Sequence, residues 1–177
     1  MTETLWIFGY GSLIWDPGFA PAEVRRARLD GWARSFCMRS IHFRGTHAAP
    51  GLVLALDAAE GASCTGLALR VPAAGAEEIL AAIRARELIS DAYLERRLTV
   101  TCEQGEQVSV LAYVIDRAGP QYCALGAEEQ AQIIARAAGA RGPNRDYLWN
   151  TAQHLRALGI PDPELEALAA RVRDLAG

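Results

Sequence analysis

The chain has 177 residues, 51% of them hydrophobic and 22% charged, which excludes a disordered chain and fits one globular domain with a substantial core. Its formal net charge is −3, from 18 basic and 21 acidic residues, so no chain-wide positive field exists to hold a nucleic acid backbone or an anionic membrane. Neither is expected as a partner.

Every basic residue is Arg, a bias of composition that carries no mechanistic message. Met1 to Thr4 are polar and run straight into Leu5-Trp6-Ile7-Phe8, unlike the leader of an exported precursor. Asp, Glu, Gly or Arg interrupts every apolar run well short of the roughly 18 residues a membrane helix needs. Cys37, Cys64, Cys102 and Cys123 are widely spaced, with no C-x-x-C pair and no disulfide framework. A reducing, cytoplasmic setting is therefore expected. His42, His47 and His154 are the only histidines, and none stands in a metal-binding pattern, so neither metal nor cofactor is expected.

In chain order, Leu5 to Phe8, Val24 to Leu29, Trp32 to Arg39, Leu52 to Leu56 and Cys64 to Val71 carry apolar or alternating patterns and are predicted strands. Ala76 to Ile89 has helical spacing. Arg97 to Cys102 and Gln107 to Ile115 return to strand patterns, with Gln104-Gly105-Glu106 as a hairpin turn. Glu128 to Ala138, Asp146 to Leu158 and Pro163 to Leu175 are predicted helices, closed by Gly and restarted by Pro or Asx caps. The pattern predicts a single α+β domain over 1–177, strand-rich over 1–115 and helical over 127–176. Its sheet is expected to be a small, mixed, largely antiparallel barrel of six or seven strands, with one inserted helix and C-terminal helices.

Gly9-Tyr10-Gly11-Ser12 directly follows the first strand. Two glycines flanking a Tyr let backbone N–H groups converge on one concavity, and such a nest binds a small anion. A dinucleotide fingerprint would need a third glycine where Ile14 stands, and no Gly-Lys-Ser/Thr follows for a P-loop. The plain alternative is an ordinary strand-end turn.

In the first helix Leu80 and Ile83 define an apolar stripe, and Glu87, seven and four residues on, continues it. A carboxylate on a buried face is partly desolvated, which raises its pKa toward the range of a general acid/base. The plain alternative is an ion pair with Arg84 or Arg86 at the helix edge. Glu77 and Glu78, in the first turn, simply complement the helix dipole.

Together these residues resemble a family. W-I-F-G-Y-G-S-L-I-W-D-P-G-F from Trp6, R-G-T at Arg44 to Thr46, P-G-L-V-L-A-L at Pro50 to Leu56, the Arg86-Glu87 pair and A-A-G-A-R-G-P-N-R-D-Y-L at Ala137 to Leu148 are similar to ChaC-type γ-glutamylcyclotransferases. The resemblance implies a small mixed barrel with peripheral helices, and a glycine loop that cradles a γ-glutamyl group. Ile7, Phe8, Gly9, Tyr10, Gly11, Ser12 and Leu13 would then bind substrate, and Glu87 would be the catalytic acid/base. Where many members follow the Arg-Glu pair with G-Y, this chain has Leu88 to Tyr93 without glycine, and Tyr93 is the matching Tyr.

The implied reaction is closure of the γ-glutamyl α-amine onto the γ-carbonyl, which expels the next residue's amine and leaves 5-oxoproline. The implied substrate is glutathione, with cysteinylglycine as the other product and no cofactor. Other γ-glutamyl amino acids or γ-glutamylamines are an alternative, and a non-catalytic γ-glutamyl or small-anion binding module is a reading of another class. The Gly9 to Ser12 amides would hold either the α-carboxylate or the oxyanion.

Among other candidates, Tyr10 and Tyr113 could hydrogen-bond substrate or be core residues with a satisfied hydroxyl. Arg39 and Arg44 could receive the far carboxylate of a tripeptide, or form surface ion pairs. Asn144 reads most simply as an N-cap, and Tyr147 and Trp149 as packing residues between their helix and the barrel. A monomer or weak homodimer is expected.

Overall fold

The computed structural model describes residues 3–177. Strands β1 (Trp6–Gly9), β2 (Glu23–Ser40), β3 (Gly51–Arg70), β4 (Tyr93–Cys102) and β5 (Gln107–Ile115) form a closed barrel in the order β1-β3-β2-β4-β5. Antiparallel ladders join β1 to β3, from Trp6 opposite Arg70 to Gly9 opposite Leu67, and also join β2 to β4 and β4 to β5. The parallel pairings are β1 with β5 at Ile7–Leu111 and β3 with β5 at Leu56–Val114. The barrel is thus mixed and largely antiparallel, in an α+β chain.

Seven predicted runs become five barrel strands because Val24 to Leu29 and Trp32 to Arg39 are one strand, as are Leu52 to Leu56 and Cys64 to Val71. Gly31 (φ +85°) and Gly61 (φ +79°) sit inside these long strands without ending them. A left-handed glycine lets a strand bend and continue, yet in sequence it looks like a turn. Two further strands, β6 (Ala138–Gly139) and β7 (Gly142–Pro143), make only a small hairpin.

The chain packs as two compact units. The first holds residues up to Arg34 and Leu56–Asp116. In it α1 (Ser12–Trp15) is a single helical turn after β1, and α2 (Ala76–Glu87) lies between β3 and β4 in sequence. Ile83 of α2 is buried with Ile7, Leu13, Val71, Leu111 and Tyr113, while Ile79, Leu80 and Leu88 pack against this cluster. Burial of a side chain such as Ile83 contributes about 1.5–3 kcal/mol.

The second unit comprises Ser35–Ala55 and Arg117–Gly177. It contains α3 (Ala127–Arg136), α4 (Asn144–Ala157) and α5 (Pro163–Ala176), with Leu148, Leu155, Leu168, Val172 and Ile134 in its core. Helix α5 starts as its sequence suggests, with Pro163 in the first turn and the Asp162 side chain accepting from the Leu165 N–H. Arg171 of α5 grips Glu128 of α3 through two 2.8 Å bonds, and Arg171 with Gln132 holds that carboxyl at a pKa of about 2. The pair is solvent-exposed and adds little stability.

Asn144 is not an N-cap. Pro143 occupies the cap position, and Asn144 is the first helical residue with its side chain fully buried. Its Oδ1 accepts from the Leu52 N–H at 2.8 Å, and its Nδ2 donates to the Leu52 carbonyl at 2.7 Å. Tyr147, one turn further, accepts at its hydroxyl from the Leu54 N–H at 3.1 Å and packs edge-on against Phe36. Trp149 faces α5, donating to the Ala169 carbonyl at 3.5 Å. The second unit thus packs residues 35–55 together with the helical third of the chain. All four cysteines are buried, and none is in a disulfide. Among the described residues no helix is long and apolar enough to cross a membrane.

Candidate active site

The glycine loop leaves β1 and closes at once into α1, where the Ile14 N–H donates to the Gly11 carbonyl and the Asp16 N–H to the Ser12 carbonyl at 2.7 Å. Pro17 stops the turn, because a residue before proline is pushed out of the helical region, and Asp16 stands at φ −145°, ψ 68°. Ile7, Phe8 and Leu13 are buried in the core, so what this stretch offers a small ligand is mostly main chain.

A close approach fixes the loop from outside. A Cβ on Gly66 of β3 would run into the Gly9 carbonyl and press on the Phe8 ring at 3.1 Å. Gly66, unremarked in the sequence, is thus the glycine the site requires for space. Gly66→Ala is expected to cost about 1–3 kcal/mol, as overpacking does, and to raise KM by displacing the Gly9 backbone. Urea unfolding and steady-state kinetics check both effects.

Arg34 of β2 donates from Nε to the Tyr10 carbonyl at 2.7 Å and from Nη2 to the Thr65 carbonyl, tying the loop to the barrel. The Tyr10 hydroxyl donates to the Tyr113 carbonyl at 2.5 Å. The Tyr113 hydroxyl in turn donates to Glu95 Oε1 at 2.9 Å. Each tyrosine has one O–H, so neither donor is directed at a ligand here. Burial first, then the bond to Glu95 and the charges of Glu95 and Glu87, push the Tyr113 phenol far above its usual range. Tyr113 stays a neutral phenol and cannot serve as an ionised base.

Glu95 carries no local signal in the sequence. Arg84 of α2 holds it with two 2.9 Å bonds, and that grip, helped by the Tyr113 hydroxyl, keeps the carboxyl below its usual pKa despite partial burial. A depressed folded-state pKa means that this contribution to stability is present above the ordinary carboxylate value of 4.5 and is lost as pH falls through the lower folded value. Wild type is therefore expected to lose urea resistance on acidification below that point more steeply than Glu95→Gln. Parallel denaturation series on the two proteins check it.

Glu87 ends α2, with its side chain 11% exposed. The acid does continue the buried face, and Arg86 also lies beside it, with Nε 3.5 Å from Glu87 Oε1. The shorter bonds of Arg86 go elsewhere: Nη2 donates to Ser12 Oγ at 2.8 Å and Nη1 to the Asp16 carbonyl at 2.5 Å. The first unit thus gathers the Ile7 to Leu13 stretch, Tyr113 and Glu87. Tyr93, which begins β4 opposite Ile115, packs against the Ile7 and Tyr113 cluster.

Arg44 belongs to the second unit. It is 7% exposed, donates from Nη1 to the Pro143 carbonyl at 3.1 Å, and lies over the Tyr147 ring. Arg39 joins Gln121 through main-chain atoms, its N–H donating to the Gln121 carbonyl and its carbonyl accepting from Gln121 Nε2, both at 2.7 Å. A cleft of about 310 Å³ between Glu23, Arg25, Cys102 and Glu106 contains none of the expected site residues. Among the described residues no three His, Cys, Asp or Glu side chains cluster so as to hold a metal ion.

Known proteins share both the sequence and the architecture. A glutathione-specific γ-glutamylcyclotransferase of Escherichia coli (strain K12) is 37% identical over 172 residues, 97% of this chain and 74% of the relative. The Homo sapiens glutathione-specific γ-glutamylcyclotransferase 1 is 34% identical over 176 residues, 96% of this chain and 78% of that protein. γ-Glutamylcyclotransferase 2-3 of Arabidopsis thaliana is 32% identical over 97% of this chain and 89% of its own length. A crystal structure of a glutathione-specific γ-glutamyl cyclotransferase from yeast superposes with a TM-score of 0.89 at 22% identity, covering 98% of this chain and 97% of the other, which establishes the common fold. The family model described as ChaC-like protein matches residues 5–175, and the chain belongs to that family.

Proposed function

We propose that this protein is a γ-glutamylcyclotransferase that cleaves glutathione to 5-oxoproline and cysteinylglycine. The observation that carries the proposal is the 37% identity, over 97% of the chain, to an enzyme of that name. The arrangement of Glu87, Tyr113 and the glycine loop gives it a chemical form.

Glutathione brings its own nucleophile. The α-amine of the γ-glutamyl residue attacks the γ-carbonyl carbon, a five-membered lactam closes, and the bond to the cysteinyl nitrogen breaks. Because both reacting groups belong to one residue, the protein's task is to fix a reactive rotamer and move protons. Glu87 removes the proton that frees the α-amine and hands it to the departing cysteinyl nitrogen, and the second proton, shed by the ring nitrogen on closure, passes to the same amine, which leaves as an ammonium. The Tyr113 oxygen, its proton directed at Glu95, is an acceptor for the α-ammonium. Main-chain amides from Gly9 to Ser12 bind the α-carboxylate or the oxyanion. A substrate role for Arg44 draws no support from its contacts.

The four buried thiols accord with a cytoplasmic, reducing setting. The test is incubation of the purified protein with reduced glutathione, γ-glutamyl-alanine and a γ-glutamylamine, with 5-oxoproline followed by mass spectrometry. Release from glutathione alone is expected. Equal release from all three donors would replace the narrow substrate with a broad one, and no release from any would leave a γ-glutamyl binding module.

A further inference from the structure

We propose that Arg86 is a positioning residue: a single guanidinium sets the place of the glycine-loop turn on one side and of the Glu87 side chain on the other. This deepens, and rests on, the assignment of substrate to the glycine loop and of acid/base work to Glu87.

The geometry is specific. Ser12 opens α1 and Asp16 caps it, so bonds from Arg86 to Ser12 Oγ (2.8 Å) and to the Asp16 carbonyl (2.5 Å) clasp both ends of the turn that follows Gly11. The third edge of the same group faces Glu87 Oε1 at 3.5 Å, and the Asp16 carboxylate stands 3.9 Å away. The Arg86 side chain is 14% exposed, well below what a surface ion pair allows. A planar fork with five donors can satisfy three directions at once, whereas a lysine ammonium is a point charge on a flexible stem. Arg84, two residues earlier, grips Glu95 instead, so the two arginines of the last turn have different tasks.

Charge follows from position. Beside Glu87 stand the Arg86 cation on its own helix and Tyr113 on β5; Asp16 lies beyond Arg86, and Glu95 of β4, paired with Arg84, lies against the Tyr113 hydroxyl. Of these Arg86 is the adjacent cation, and a cation at this distance favours the carboxylate form. Arg86 therefore has two separable effects, one on the loop and one on the proton affinity of Glu87.

The experiment compares kcat/KM for glutathione across pH in wild type, Arg86→Gln, Arg86→Lys, Ser12→Ala and Glu87→Gln. Arg86→Gln is expected to lower kcat/KM about 10- to 100-fold, the range for losing hydrogen bonds from a charged group, and to move the acid limb up by about one pH unit. Arg86→Lys keeps the charge, so its acid limb stays in place while kcat/KM still falls. Ser12→Ala raises KM, again without moving the acid limb. A merely structural Arg86 would lower melting temperature and leave the acid limb of the folded fraction where it is, and that result overturns the proposal. If Arg86→Gln does not fold, the Lys and Ala variants carry the test, and wild-type kinetics in both would overturn it. Retained activity in Glu87→Gln would instead overturn the underlying assignment of the acid/base, whatever the Arg86 variants do.

Discussion

Replacing Glu87 by Gln is expected to lower kcat for glutathione by about 10²–10⁴-fold, with the fold intact. Gln keeps the size of Glu and one carbonyl oxygen for hydrogen bonding, but it accepts no proton from the α-ammonium and has none to return to the departing amine. The side chain is 11% exposed and ends its helix, so this near-isosteric exchange removes chemistry with little loss of packing. Tyr113 offers no substitute, because burial and neighbouring carboxylates hold it as the phenol. Single-turnover release of 5-oxoproline, with urea midpoints for both proteins, distinguishes this outcome from misfolding. A variant within a few-fold of wild type would remove Glu87 from the mechanism.

Asn144→Ala is expected to have the largest effect on stability, about 2–6 kcal/mol. One side chain satisfies both the N–H and the carbonyl of Leu52, in a position with no exposure to water. Removing it strands two buried backbone groups, each costing about 1–3 kcal/mol. Against a total stability of about 5–15 kcal/mol, that is a large fraction. Asp distinguishes this role from a cap. Asp is as good as Asn at an N-cap, but here it would lose the donor to the Leu52 carbonyl and bury a charge, so Asn144→Asp is expected to be at least as damaging as Ala. We also propose that the chain unfolds as one domain, in which case a single urea transition shifts as a whole. Two separated transitions, with only one moved, would argue for independent units.

Local pattern and distant pairing divide what the sequence discloses. The glycine loop and Glu87 are legible because each depends on neighbours in the chain: two glycines after a strand, and an acid four residues past Ile83 on one helix face. Glu95 escaped because Glu95-Arg96-Arg97 reads as charged and the strand was expected to begin at Arg97, whereas β4 starts at Tyr93. The ladder is centred on Gln104, one residue before the middle of the expected Gln104 to Glu106 turn, and that small shift decides that Glu95 lies opposite Tyr113 rather than Ile115. The hold of Arg86 on Ser12, 74 residues away, and of Asn144 on Leu52, 92 residues away, leaves no periodic trace. Gly66 is silent for the same reason, since its neighbour is the Gly9 carbonyl on another strand.

The second unit has an awkward order of synthesis. Its residues 35–55, the end of β2 and the start of β3 with the connection between them, emerge from the ribosome long before α4, which carries the partners of the Leu52 and Leu54 amides. Until then a growing chain carries apolar segments, Leu52 to Leu56 among them, with backbone donors that another chain could pair. Closing a 92-residue span is also entropically slow, so helix docking sets the pace at which that edge is covered. Yield in the cell should thus respond to the last fifty or so residues more strongly than catalysis does.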